Sequence, residues 1–319
     1  MHAVYHELLT AIPEYSEIDI IARARDRDTV LDWNHLFDEH DDIHLHFVRE
    51  PADEVDLWTQ DLGEYFETNG QGRFLVSALP HRSMGTSRAV ATSRESIAKR
   101  IFGPSAVISA KFVFEAGNLL FDRTESGLRV LAGEDVVTHS IESARLDGER
   151  LEARDVAREV SKQFGGAEVI VLEGDQGGGL FHIDQAFVIL RDGKIILNML
   201  PEMGTEEAVT LAGYREQLAS LGYEVFELPA NLDDIQHYRT SLNALPFTHR
   251  DSGRDMVIFP VFPGQVVADA PRELASQHLR GDAATAFSLF EHAGYEPLPV
   301  RDYAHISGGN THCIANILY

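Results

Sequence analysis

The chain has 319 residues, 44% of them hydrophobic, so it can bury a large core, and its length is compatible with one α/β body. Acidic residues outnumber basic ones by 51 to 27, and the net charge of -24 argues against a nucleic-acid partner, because phosphate contacts require a basic face. The same charge favours cationic ligands. No apolar run approaches the ~18 residues of a membrane span, and no signal peptide is recognisable, so we expect a cytoplasmic protein with no membrane partner.

Short strands alternate with helices along the chain, which is the pattern of an α/β fold. No linker rich in Pro, Gly or Ser divides the sequence, so we expect a single domain spanning residues 1–319. In chain order, the predicted strands are 17–22, 43–48, 73–79, a pair within 107–122 broken at 115–118, 167–172, 180–190, 195–200, 223–228, 255–262 and 295–300. The predicted helices are 4–12, 27–40, 95–101, 151–164, 205–221 and 272–293, the last with an interruption near Gly281.

Trp58 and Asp61 lie in an unusual stretch that follows Pro51. An indole face attracts a cation and a carboxylate pairs with it directly, so the two side chains could share a cationic ligand. On an ordinary strand they would point to opposite faces, and a turn near Gly63 would be needed to bring them together. From the residues alone, a core tryptophan beside a surface aspartate is the simpler interpretation.

His182 and Asp184 follow the glycine-rich loop 173–179. That loop has no lysine and leads into a predicted strand, so it predicts a turn or a lid and not a phosphate cradle. Residues two apart on a strand share a face, which would place the imidazole beside the carboxylate. Burying both is costly without a purpose, although an ion pair at the rim of a sheet is the structural alternative.

Cys313 is the only cysteine in the chain, and it follows His312 and the pair Gly308-Gly309. The thiol could be a buried apolar side chain, a metal ligand or a nucleophile. A metal site formed with His305 and His312 is disfavoured, because adjacent side chains on a strand point apart. The following apolar residues read as a buried strand that would hold the thiol rigidly.

Together, these segments supply one thiol, one imidazole and two carboxylates, a set that suits guanidinium chemistry. Carboxylates can fix the planar, forked cation above a nucleophile. A thiolate can then attack the central carbon while a histidine protonates the departing nitrogen. A bound cation or a protonated histidine would favour the thiolate.

Four segments resemble motifs of the guanidine-modifying (pentein) superfamily, which includes agmatine, peptidylarginine and arginine deiminases and amidinotransferases. Asp56-Leu-Trp58-Thr-Gln60-Asp61 is similar to D-x-W-x-[RQ]-D, and Glu115-Ala-Gly117-Asn118 resembles E-G-G-N. His182-Ile-Asp184 matches H-x-D, and Gly308-Gly309-Asn-Thr-His312-Cys313 matches G-G-x-x-H-C. The segments occur in the superfamily's order and span nearly the whole chain.

This resemblance implies an α/β propeller of five ββαβ-type units around a pseudo-fivefold axis, with the site at its centre. It implies that Cys313 is the nucleophile, that His182 is the general acid and base, and that Asp61 and Asp184 clamp the guanidinium. Trp58 would pack against the substrate, while Asn118 and Glu115 would shape the pocket. No metal and no cofactor is implied.

The resemblance implies a deiminase that releases ammonia and a ureido product from an agmatine, arginine or peptidyl-arginine type of substrate. Glu64 stands where agmatine deiminases usually have proline, and Gln60 is more typical of peptidylarginine deiminases, so the substrate stays open, as do calcium dependence and a homo-oligomeric state. An amidinotransferase is the alternative, with an amine replacing water in the second step. A non-catalytic binder of cations is the alternative from another class.

Overall fold

The computed structural model describes residues 8, 12, 18–23, 27–28, 43–48, 63–68, 71–76, 88–174, 182–201, 204–249, 252–271, 274–302 and 312. In this part of the chain the strands form five small sheets. The strands are β1 (Ile18–Arg23), β2 (Ile43–Val48), β3 (Gly63–Thr68), β4 (Gln71–Val76), β5 (Val107–Ser109), β6 (Leu119–Thr124), β7 (Gly127–Gly133), β8 (Glu168–Leu172), β9 (Phe187–Ile189), β10 (Lys194–Met199), β11 (Glu224–Pro229), β12 (Leu245–Thr248), β13 (Asp255–Val261) and β14 (Glu296–Arg301).

Most helices connect strands within these small sheets, and two short ones lie between sheets. They are α1 (Arg88–Phe102), α2 (Glu134–Leu146), α3 (Ala153–Gln163), α4 (Ile183–Ala186), α5 (Glu206–Ser220), α6 (Leu232–Gln236) and α7 (Gly281–Ala293), with 3₁₀ turns at Ala116–Asn118 and Ser276–His278. Their termini carry ordinary caps: Thr205 accepts a hydrogen bond from the Ala208 N–H at the start of α5, and Gly294 ends α7 at a φ of 97°. Among the described residues, no helix combines the length and apolarity needed to cross a bilayer.

One topology recurs in four of the sheets. Two strands pair antiparallel, a helical crossover follows, and a third strand joins parallel to the second, as in β6, β7 and β8. The same order holds for β3 to β5, β9 to β11 and β12 to β14. Each of these is a ββαβ unit. In the first sheet, the described residues give the parallel pair β1 and β2.

The hydrophobic core is divided among clusters that lie between neighbouring units. One cluster joins Leu75 of β4 to Leu119 and Val130 of the next unit. Another joins Leu131 of β7 to Ile183 and Ile195, and a third joins Ile196 of β10 to Val257 of β13. Because apolar residues of adjacent units share each cluster, every unit is stabilised by its neighbours.

The predicted strand over residues 180–190 is wrong for residues 182–186, while 180 and 181 lie outside the described residues. His182 precedes the short helix α4, and the strand begins at Phe187. A short apolar run does not distinguish a buried strand from a buried helical turn, and all four residues of α4 are buried.

Other boundaries also moved. Helix α1 begins at Arg88 and not at Glu95, while β3, β7, β12, α2 and α6 were not predicted. Strand β2 was predicted with its observed limits, and the strands at 168–172, 194–199 and 296–301 agree to within a residue or two.

Candidate active site

Glu115 and His182 form an ion pair at the centre of the candidate site. Glu115 lies directly before the 3₁₀ turn of one unit, and His182 directly before α4 of the next. The two side chains are 11% and 5% exposed, and His182 Nε2 lies 2.5 Å from Glu115 Oε2. A contact this short between buried groups is a charge-assisted hydrogen bond.

The electrostatics of this pair favour an ionised Glu115. Burial raises the pKa of the Glu115 carboxyl, but the hydrogen bond and the charge of His182 outweigh that effect. The charges of Arg94 and His139 act in the same direction, so the pKa of Glu115 falls below its ordinary value. The ionised carboxylate can stabilise positive charge on the imidazole of His182 during proton transfer.

Gly117 lies directly against both His182 and Asp184. A Cβ atom at this position would be 2.5 Å from His182 Nδ1 and 3.0 Å from Asp184 Oδ1. In the sequence, this glycine marks the break in the predicted strand pair. The structure shows that a glycine is needed here because a larger residue would collide with the two neighbouring side chains. The two side chains thus share a surface as predicted, although a helical turn and not a strand brings them together.

Asn118 fixes the backbone between these two residues. Its side chain is buried, and Oδ1 accepts a hydrogen bond of 3.0 Å from the Ile183 backbone N–H. The 3₁₀ turn of one unit therefore holds the start of α4 in the next unit. His182 directly precedes α4 and Asp184 lies within it, so this contact fixes the backbone of both residues.

Asp184 links three separate parts of the chain. Its Oδ2 accepts a hydrogen bond of 2.8 Å from Asn243 Nδ2 and lies 2.9 Å from His312 Nδ1. Asn243 Oδ1 accepts a further hydrogen bond of 2.9 Å from the backbone N–H of His312. Asp184 is 2% exposed and Asn243 is 0% exposed, so this network is shielded from water.

The predicted residues divide into two groups. The structure brings together Glu115, Asn118, His182 and Asp184, while Trp58, Asp61 and Cys313 lie outside the described residues. His305 also lies outside them, so the metal alternative that uses it is untested. Among the described residues, no group of three or more His, Cys, Asp or Glu side chains is arranged to hold a metal ion.

The sequence reasoning missed Asn243 and the role of His312. Asn243 stands two residues before the first strand of its unit, as Asn118 stands one residue before the first strand of its own. No sequence signal indicated it, because β12, the first strand of its unit, was not predicted.

Comparison with known proteins agrees with this architecture. The family model of the Porphyromonas-type peptidyl-arginine deiminases matches residues 1–316. Agmatine deiminase from C. jejuni is 16% identical with a TM-score of 0.69, covering 99% of this chain and 86% of that chain. Agmatine deiminase of Enterococcus faecalis is 12% identical with a TM-score of 0.66, covering 98% of this chain and 85% of that chain.

A third solved structure is the N-terminal domain of ArgZ bound covalently to a reaction intermediate. It is 17% identical with a TM-score of 0.51, covering 91% of this chain and 85% of that chain. A search of curated proteins gave no match.

The repeated ββαβ units and these likenesses define an α/β protein of the pentein superfamily, as the motifs predicted. Within that superfamily, the chain belongs to the Porphyromonas-type peptidyl-arginine deiminase family. It is a deiminase, a hydrolase that acts on C–N bonds of linear amidines.

Proposed function

We propose that this protein hydrolyses the guanidinium group of an arginine-like substrate to a ureido product and ammonia through a covalent intermediate on Cys313. The observation that carries the proposal is the pairing of His182 with ionised Glu115 beside Asp184, which His312 contacts. Cys313 directly follows His312 in the sequence, which is why we assign the nucleophile to this cluster.

The reaction divides into two steps. The Cys313 thiolate attacks the central carbon of the guanidinium, and His182 gives a proton to the departing nitrogen, which leaves as ammonia. This forms an S-alkylthiouronium. His182 then takes a proton from water, and the hydroxide attacks the same carbon. The C–S bond breaks to release the thiolate, while the added hydroxyl group passes its proton to solvent and becomes the carbonyl of the ureido product.

The described residues support particular roles in these steps. Glu115 holds Nε2 of His182, so proton transfer to the substrate falls to Nδ1, the nitrogen that faces Gly117. Asp184 would accept N–H donors of the guanidinium through Oδ1, since its Oδ2 already contacts Asn243 and His312. Asp61 would clamp the other side of the cation, and Trp58 would pack against the substrate.

The substrate is proposed as a small cationic guanidino compound or an arginyl peptide. Two similar solved structures support this: one is C. jejuni agmatine deiminase with substrate bound, and the other is the substrate-bound N-terminal domain of ArgZ, an arginine dihydrolase. We further propose action in the cytoplasm, where a lone thiol stays reduced, without nucleic-acid or membrane partners.

The test is a substrate panel of agmatine, arginine and an arginyl peptide, read by ammonia release and by the mass of the product. We expect one of the three to give a ureido product with no added amine, and Cys313→Ser to give none. Product that appears only with an amine acceptor would instead identify an amidinotransferase. Wild-type protein that binds a guanidino compound but releases no product would overturn the proposal.

A further inference from the structure

Asn118 and Asn243 make the same contact in two different units. Asn118 accepts a hydrogen bond from the backbone N–H of Ile183, and Asn243 accepts one from the backbone N–H of His312. Both side chains are buried, at 1% and 0% exposure. The first contact holds the segment of His182 and Asp184, and the second holds the residue that precedes Cys313.

Asn243 differs from Asn118 by a second contact. Its Nδ2 donates to Asp184 Oδ2, 2.8 Å away, while Oδ1 faces the His312 N–H. A backbone N–H can only donate and an ionised carboxylate can only accept, so the orientation of the amide is fixed. One short side chain therefore sets the distance between the carboxylate of Asp184 and the backbone at His312.

We infer that Asn243 is a positioning residue of the deiminase, which keeps the segment of Cys313 in register with the carboxylate that binds the guanidinium. The inference rests on the proposed function, because it assumes that Cys313 attacks a cation held by Asp184. Asn243 acts on the reaction through the two groups that it holds.

The need for such a residue follows from the topology. Asp184 lies at the start of one unit, whereas His312 is 128 residues further along the chain. A misplacement of about 1 Å between attacking atom and bound carbon can cost about 100-fold in rate. Asparagine suits the task because it has few rotatable bonds and offers a donor and an acceptor side by side.

The test uses the fact that Cys313 is the only cysteine, so every alkylation event reports on this thiol. Purified protein is treated with 2-chloroacetamidine, which carries an amidinium, or with the neutral 2-chloroacetamide, and modification is followed by intact mass. We expect wild-type protein to react faster with the amidinium reagent, and Asn243→Ala to lose that preference by about 10- to 100-fold. Asn243→Asp keeps the shape and the acceptor but loses the donor to Asp184, and we expect a similar loss; it also serves if the alanine variant does not fold.

Tyr223→Phe is the control. Tyr223 is also buried, at 6% exposure, and its hydroxyl donates to Asp122 Oδ2 of another unit, 2.7 Å away. This bond joins two units but involves neither α4 nor Asn243 nor His312, so the variant should lose stability but keep the preference to within about threefold.

The outcomes separate the two proposals. A wild-type protein that neither turns over a guanidine nor prefers the amidinium reagent refutes the proposed function. If the wild-type protein is active and the Asn243 variants keep kcat and the reagent preference, only the positioning inference fails. An equal loss in Tyr223→Phe also overturns it, because the effect would then follow from general destabilisation.

Discussion

At the scale of single residues, Gly117 shows how closely the site is packed. Both a nitrogen of His182 and an oxygen of Asp184 occupy the space that any other residue's Cβ would take. Interiors are close-packed, and an added methyl group must displace its neighbours. The neighbours here are the two side chains with the most specific proposed roles, so this position is sensitive in function beyond its effect on stability.

Gly117→Ala is expected to lower kcat by about 100-fold, because the added Cβ moves His182 and Asp184 out of their arrangement. The loss of stability should be about 1–3 kcal/mol, as for other overpacked sites. Steady-state kinetics and urea unfolding measure the two effects.

Gly213→Ala is the control for that variant. Gly213 lies within helix α5, where the nearest atom to an added Cβ would be Gln217 Nε2, 3.9 Å away. Alanine there should stabilise the helix by up to about 1 kcal/mol and leave kcat unchanged. Unchanged kcat in Gly117→Ala as well would show that the packing at Gly117 does not matter for the reaction.

The lowered pKa of Glu115 gives a prediction for pH dependence. A carboxyl group whose pKa is lower in the folded than in the unfolded protein stabilises the folded state at pH values above its ordinary pKa of 4.5. This stabilisation disappears as the pH falls through the lowered pKa. Glu115→Gln should therefore be less stable than wild type near neutral pH, with the difference shrinking below about pH 4.5. Urea unfolding from about pH 7 to about pH 3 tests the sign, and a difference that grows on acidification contradicts it.

At the scale of elements, the helix α4 explains how a correct pairing was predicted from a wrong structure. The motif His182-Ile-Asp184 placed both side chains in one site, but the assumed strand is a helical turn that begins after His182. The spacing of two residues predicts whether their side chains share a face only when the type of secondary structure is known, because a strand and a helix have different periods. Asn118, which is 65 residues away, accepts the hydrogen bond from the first N–H of this turn, and no local pattern reveals this contact.

The same reasoning explains what else the sequence could and could not provide. Segments such as α5 and β13 were predicted because the residues that identify each of them lie within one element. Asn243 and the contact of His312 with Asp184 were missed because they depend on a carboxylate that another unit supplies. The resemblance to family motifs identified candidate site residues only where those residues lie inside one of the four motifs.

Asn118→Ala tests the role of the 3₁₀ turn in holding α4. The variant leaves the buried N–H of Ile183 without this acceptor, which should cost about 1–3 kcal/mol, and should lower kcat at least tenfold. Asn231→Ala is the matched control, since Asn231 Oδ1 also accepts a bond from a backbone N–H, that of Asp234 at the start of α6, but at the surface. It should cost about 1 kcal/mol and leave kcat unchanged, and equal kinetic effects in the two variants would contradict the assignment.

At the scale of the whole molecule, the shared cores make neighbouring units depend on one another. Phe290 of α7 is fully buried and packs on Phe259 with ring centroids 5.3 Å apart, in a cluster that also contains Val188 and Ile196 of the preceding unit. Loss of packing in one unit therefore also exposes apolar surface of the next. This supports the proposal that residues 1–319 form one cooperative domain.

Phe290→Ala is expected to destabilise the protein by about 3–5 kcal/mol, because it leaves a large cavity in a shared cluster. Differential scanning calorimetry should show a single transition for both wild type and variant, shifted to lower temperature in the variant. Leu146→Ala, at a side chain that is 64% exposed, should shift it little. Two separated transitions would argue against a single cooperative domain.

The contact between Asp184 and His312 also has a consequence for the order of folding. It joins residues that are 128 positions apart, so forming it closes a long loop of chain. The entropy of that closure must be overcome before the contact can stabilise the protein, and non-local contacts of this kind form slowly. We therefore expect the carboxylate and the imidazole to meet late in folding, after the local strand pairs of each sheet have formed.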